Sequence, residues 1–224
     1  MTSLRPFHAT DVFKFNPTNL DPLTETYDLN FYFSYIARWP HLFNVAEGRD
    51  GTIDAYSTRS LFPIPPLYNP IQNKTKLNPK TKTLTPSPPP VMGKLESSPS
   101  YYRFSPHYLP YHAHITALTV SPAARRLGLA RTLSSSLERS GDSYEAWFVD
   151  LFVRKSNRIA QRLYEGMGYS VYRRVVDYYS DDLADPGKSG EDAFDMRKPL
   201  RRDGKREHVR ERGEEFEVMP EDVW

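Results

Sequence analysis

His112-Ala-His-Ile-Thr-Ala-Leu-Thr-Val-Ser-Pro-Ala-Ala-Arg-Arg-Leu-Gly-Leu-Ala130 is the stretch whose reading decides the fold. Its first part is apolar and β-branched, through Ile115, Thr116, Leu118, Thr119 and Val120, and reads as a mostly buried strand. Ser121 and Pro122 stop it. Arg125 to Ala130 then open a helix whose Leu129, Leu133 and Leu137 fall four apart on one face. Amide groups at a helix start lack internal partners and carry the positive end of the helix dipole, so they hold phosphate. Gly128 allows close approach to the backbone, and Arg125 and Arg126 add positive charge.

Strand, then Arg125-x-x-Gly128-x-Ala130, then helix resembles the acetyl-CoA-binding motif of the GCN5-related N-acetyltransferases. The alternative is an ordinary strand–turn–helix with surface arginines. A second segment follows at the spacing that superfamily uses, Asn157-x-x-Ala160-x-x-x-Tyr164-x-x-x-Gly168-Tyr169. Together they predict an α+β GNAT fold. The resemblance implies a mixed central sheet of about seven strands, about four flanking helices, and a V-shaped splay between the two central strands.

The bulk numbers fit this class. A chain of 224 residues suits one domain with a sizeable core. Charged residues make up 26% and nearly cancel to +2, so nothing demands nucleic acid or an anionic membrane. With no cysteine there is no disulfide framework, thiolate zinc site or thiol nucleophile. No apolar run approaches the ~20 residues a membrane helix needs. A cytoplasmic protein is the expectation, with no metal and no membrane partner.

Upstream, Leu4–Phe7 reads as a strand and Asp11–Phe15 as a short helix with Val12, Phe13 and Phe15 inward. Asn16–Tyr27 is a loop by its Asn-Pro and Asp-Pro steps. Asn30–Arg38 reads as a helix; His41–Glu47 and Gly51–Tyr56 read as strands. Here the resemblance narrows. The loop Asn19–Tyr27, Phe31-Tyr32, Arg38-Trp39-Pro40 and Val45-Ala46-Glu47 are similar to the catalytic subunit of NatB, an amino-terminal acetyltransferase.

Ser57–Pro90 breaks the pattern. Its 34 residues hold nine prolines and five Lys/Arg, with no glycine and no acid. Such a segment forms neither a ladder nor a core, so it is expected to be disordered or polyproline II. It also falls inside a strand: Ile53-Asp-Ala-Tyr56 reads directly into Val91-Met-Gly-Lys94, matching the third strand of the resembled family. The length is a whole number of codons, and Ser57 and Pro90-Val91 can be written with splice-site dinucleotides. A translated intron is one reading; a genuine Pro-rich, basic insert that binds a partner is the other. The expected organisation is a GNAT domain over 1–198, interrupted by 57–90 and carrying a loop at 97–111, followed by a charged tail over 199–224. That tail is expected to be a solvated helix or disordered.

Downstream, Gly141 is a candidate helix C-cap and Ala146–Val153 a buried strand. Ser156 is expected to cap the next helix, which Gly168 ends. Ser170–Tyr179 and Asp192–Lys198 read as strands. Asp150 reads as a structural acid. His114 shares one strand face with Thr116 and Leu118; it is either structural or a channel residue that binds the substrate's second side chain or acts as a base through water.

The resemblance implies acetyl transfer from acetyl-CoA to nascent N-termini beginning Met-Asp, Met-Glu, Met-Asn or Met-Gln. It implies coenzyme contacts from Leu118, Val120, Arg125, Arg126, Leu127, Gly128, Leu129, Ala130, Asn157 and Tyr164. Tyr164 would donate a proton to the leaving thiolate, beside catalytic roles for His114 and Asn157. Glu25, Tyr27, His114, Thr116, Phe152, Tyr178 and Tyr179 would line the peptide channel. A large auxiliary subunit would complete a heterodimer and reach the ribosome. Tyr111 stands where the family usually has Trp. A lysine or small-amine acetyltransferase and a non-catalytic interaction protein are the rival readings.

Overall fold

The structure, a computed structural model, describes residues 3–14, 27–38, 44–58, 94–97, 104, 108–179 and 190–223. The strands are β1 (Ser3–Pro6), β2 (Asn44–Glu47), β3 (Ile53–Thr58), β4 (Lys94–Glu96), β5 (His112–Ile115), β6 (Ala117–Val120), β7 (Phe148–Arg154), β8 (Ser170–Tyr179), β9 (Glu191–Pro199) and β10 (Glu217–Val218). Three α-helices stand among the described residues: α1 (Leu29–Arg38), α2 (Leu129–Ser143) and α3 (Arg158–Glu165).

Among the described residues two sheets form, ordered β1-β2-β3-β6 and β10-β8-β9-β7-β5-β4. The run 112–120 belongs to both. Up to Ile115 it lies parallel to β7, with His114 opposite Asp150; from Ala117 it pairs instead with β3. The change at Thr116 opens the expected V between the central strands. Taking β3 with β4 and β5 with β6 as single runs recovers seven main strands, with β10 added at the edge.

The register across the third strand is informative. Thr58 pairs with Ala117 and Lys94 with His114, so both half-strands lie along one partner. Ser57 and Thr58, expected to begin the insert, instead extend β3 opposite Leu118 and Ala117. Backbone pairing needs no particular side chain, so any two residues can fill those rungs. Residues 59–90, the rest of the segment where disorder or polyproline II is expected, lie outside the described residues, as do Val91–Gly93 of the expected strand.

Helix α2 buries Leu133 and Leu137 completely and Leu129 in part, as its spacing predicts. Leu137 joins Ile115, Leu151, Met196 and Leu200 in the main core. A second core holds Phe7, Val12, Tyr32, Val45, Ile53 and Tyr56. The turn Ala9–Phe13 is a 3-10 helix that buries Val12 but leaves Phe13 exposed, since its tighter period turns that ring outward. Phe15 lies outside the described residues. Gly141 does not end α2; it sits within the helix, where a Cβ would come 2.8 Å from Leu200 Cδ1. Asn157, not Ser156, caps α3.

The charged C-terminal stretch also departs from expectation. It folds back as short 3-10 turns and β10, which runs parallel to β8. Buried Asp203 accepts the Glu207 and His208 N–H groups at 2.8 and 3.0 Å. Arg173 donates to the carbonyls of Asp222 and Val223, and Val223 is fully buried. Its charges pair with one another and with β8, as Arg174 does with Glu217, so sparse apolar content does not leave the segment loose.

Candidate active site

The site begins where β6 leaves β7. Ser121 N–H donates to the Asp54 carbonyl at 2.8 Å, in register with the β3–β6 ladder. Antiparallel rungs alternate, so Leu118 and Val120 turn their N–H and C=O groups away from β3, toward the gap. At the same point Tyr27 donates its hydroxyl to the Thr116 carbonyl at 3.5 Å, while Thr116 Oγ1 is buried with no hydrogen-bond partner among the described residues. Tyr27 is held there by stacking on Phe31, with centroids 4.0 Å apart. Glu25 lies outside the described residues.

One side of the gap is open and positively charged. The helix starts later than the sequence suggests: Pro122–Ala124 forms a 3-10 turn, and Arg125–Gly128 is a loop leading into α2. Gly128 has φ +80, the left-handed region that favours glycine, and a Cβ there would meet nothing within 4 Å. Conformation, not crowding, requires the glycine. Arg125, Arg126 and Leu127 are exposed, and Leu129 and Ala130 are half-buried. Arg126 also holds a positive φ, so the loop takes left-handed backbone at two positions, 126 and 128. The Arg125 Nε donates to the Val120 carbonyl at 3.4 Å, fastening the loop to the end of β6.

The other side carries an aromatic row. The His114 ring tilts against Phe152 at 5.6 Å, Phe152 stacks on Tyr178 at 4.7 Å, and Tyr178 meets Tyr179 edge-on at 5.0 Å. Arg154 lies 4.2 Å over the Tyr179 ring. Asp177 takes a positive φ, and the β8–β9 register shifts between Val175 and Tyr179; that bulge re-aims the two tyrosines. Val223 from the C-terminal segment packs into this group.

Tyr164 is buried in the main core between the motifs, edge-on to Tyr169 at 5.5 Å. Burial pushes its phenol pKa above the ordinary value, so it stays a neutral O–H donor at physiological pH. The side-chain oxygen of Asn157 accepts Ala160 N–H at 3.1 Å, so this residue caps α3.

Sequence reasoning set Asp150 aside. In the fold it is fully buried and its Oδ1 lies 2.9 Å from His114 Nδ1 and 3.7 Å from His112 Nε2. Burial pushes its pKa up, but the charges of His112, His114 and Arg197 and the His114 hydrogen bond outweigh that and keep the carboxyl ionised. Only the β5–β7 register reveals this pairing.

A strand that changes sheets beside a glycine-started helix, with an aromatic wall opposite, defines the GNAT class of acetyltransferases. Residues 100–169 match the acetyltransferase (GNAT) family. The catalytic subunit naa20 of the N-terminal acetyltransferase B complex of Schizosaccharomyces pombe is 44% identical, covering 100% of this chain and 99% of that protein. The corresponding Arabidopsis thaliana subunit is 37% identical, covering 93% and 91%. A crystal structure of Chaetomium thermophilum Naa20 in complex with a bisubstrate analogue superposes with a TM-score of 0.80 at 51% identity, covering 99% of each chain. The chain belongs to the family of NatB catalytic subunits, which are N-terminal acetyltransferases.

Proposed function

We propose that this chain moves the acetyl group of acetyl-CoA onto the α-amine of nascent proteins beginning Met-Asp, Met-Glu, Met-Asn or Met-Gln. It works in the cytoplasm with a large auxiliary subunit, which brings it to the ribosome. Relatives with a bound bisubstrate inhibitor, and with CoA, are described as NatB complexes, which supports both the coenzyme and the partner. The observation that carries the reading is the gap at Thr116: an open helix start on one side and the aromatic row on the other.

Bound acetyl-CoA supplies an activated acyl group. The residues around Gly128 fit its diphosphate: there is open space beside Gly128 at the start of α2, and Arg125 and Arg126 add charge. The outward N–H groups of Leu118 and Val120 suit the coenzyme arm and the negative charge that develops on the acyl oxygen. An α-amine has a pKa of about 8, so about a tenth is neutral near pH 7 and positioning supplies much of the acceleration. The amine nitrogen bonds to the acyl carbon as the C–S bond breaks; the amine gives its proton to water, and Tyr164 donates its own to the departing sulfur and is reprotonated from solvent. Phe152, Tyr178 and Tyr179 suit a retained methionine, Tyr27 holds the mouth of the channel, and Glu25 is assigned to the same channel by family resemblance.

The test is a peptide panel on the chain co-expressed with its auxiliary subunit. Acetylation of Met-Asp and Met-Glu peptides at the α-amine supports the reading. Acetylation of internal lysine alone defeats it.

A further inference from the structure

Asp150 stands directly across the β5–β7 ladder from His114, in the parallel part of the sheet just before the splay. An ionised carboxylate only accepts, so the 2.9 Å contact fixes the proton on His114 Nδ1. Nε2 is then the ring nitrogen left for a further partner. The imidazole sits at one end of the aromatic row, against Phe152, the row that the substrate reading above assigns to the peptide channel. His112 shares the carboxylate but not this position. Its Nδ1 donates to the Pro110 carbonyl at 2.7 Å, and its ring lies flat on Phe148 at 4.8 Å, deeper in the domain.

A neutral His114 offers Nε2 as an acceptor to a carboxamide N–H. Carrying a second proton, it donates from Nε2 to a carboxylate. A buried imidazolium is costly alone but tolerable beside a fixed negative charge. We infer that Asp150 is a positioning residue for recognition of the substrate's second side chain: it holds the His114 tautomer and supplies the counter-charge that lets one imidazole serve both acids and amides. This rests on the substrate reading above, and it concerns Asp150, whose side chain need never touch the peptide.

Glutamate and glutamine are near-isosteric, so Met-Glu and Met-Gln peptides isolate charge. In the complex with the auxiliary subunit, Asp150→Asn should lower kcat/KM for Met-Glu at least about tenfold more than for Met-Gln, chiefly through KM. In a His114→Gln background the same change should leave the Glu/Gln ratio where it was, because the two residues act as a unit. Equal losses on both peptides, or a ratio that still moves without His114, overturn the inference and leave Asp150 a purely structural acid. Should Asp150→Asn fail to fold, His114→Gln alone decides: an unchanged Glu/Gln ratio overturns it. A wild-type complex active on other N-termini but on neither peptide brings down the substrate reading and this inference together.

Discussion

Gly213 lies against the carbonyl of Val171. A Cβ at Gly213 would come within 2.7 Å of the Tyr172 carbonyl carbon and closer still to Val171. Both obstacles are backbone, so neither can swing aside. The same docking brings Val223 into the group around Phe152, Tyr178 and Tyr179. Gly213→Ala should therefore lift the C-terminal segment off β8. Limited proteolysis should then cut within 200–223 while leaving the remainder intact, and KM for peptide should rise more than KM for acetyl-CoA. An unaltered digestion pattern would show that the segment can re-seat around the added methyl.

The registers of β3 and β4 yield a second prediction. Deleting Ser57–Pro90 joins Tyr56 to Val91, and Val91 and Met92 then inherit the rungs opposite Leu118 and Ala117. Gly93 alone remains to face Ile115 and Thr116 before Lys94 meets His114. One residue opposite two is a β-bulge, which a sheet accommodates readily at a bend. The shortened chain should fold, retain acetyl transfer, and gain stability by up to about 3 kcal/mol, since loop closure costs about 0.6 kcal/mol per doubling of length. Thermal unfolding and activity of the two forms side by side would measure this. A shortened chain that cannot fold would make the segment an integral part of the domain, and a transcript reading through these codons in most molecules would exclude the intron.

How much of this was legible beforehand follows from physical range. Alternation and spacing are local, so the strand at 112–120, the face of Leu133 and Leu137, and the long strand Ser170–Tyr179 could be read directly. The His114–Asp150 contact spans two strands joined only by register, and no local pattern encodes register. The C-terminal segment misled for a related reason. Composition measures whether a stretch can build its own core, yet here Val223 and Gly213 use one that already exists on β8. The helix was expected to open at Arg125, but Arg125–Gly128 is a loop and the helix begins at Leu129, because Gly128 takes a left-handed conformation that no helix continues through.

Acid should destabilise the fold at its N-terminal end. Arg5 grips Asp11 with two hydrogen bonds, at 2.6 and 2.9 Å, and reaches Glu47 at 2.6 Å. Burial pushes the Asp11 pKa up, but the Arg5 bonds, the His8 N–H and the Arg5 and Lys14 charges outweigh it and hold it below the usual range. A lowered pKa means that the stabilisation is complete above the unfolded value, about 3.9, and is lost as pH falls through the folded one. Arg5 stays charged throughout. Asp11→Asn should thus cost about 1–3 kcal/mol at pH 7, the range for a charged hydrogen bond left unmade. The gap from wild type should close in strong acid, once pH has fallen through the depressed folded value and the Asp11 carboxyl is as neutral as the amide that replaces it. Urea midpoints at the two pH values test the sign; a gap that widened in acid would contradict it.

Tyr164 is the most direct probe of the chemistry. Its ring is enclosed by the main core, and burial alone accounts for its raised pKa. Tyr164→Phe removes one oxygen and keeps the ring, so packing against Tyr169 should survive and stability should change by less than about 1.5 kcal/mol. A group that protonates a leaving atom acts in the transition state and hardly at all in the ground state, so its loss should appear in turnover. General-acid contributions are commonly about 100-fold or more, yet a thiolate is a weakly basic leaving group, which places the expected fall in kcat nearer 10-fold. Acetyl-CoA affinity, measured by calorimetry on the complex, should stay within about twofold, since Gly128 and its neighbouring arginines are untouched. Unchanged turnover would remove Tyr164 from the mechanism and leave solvent as the proton source. A large loss of coenzyme affinity with turnover intact would instead recast the hydroxyl as a contact to the bound coenzyme.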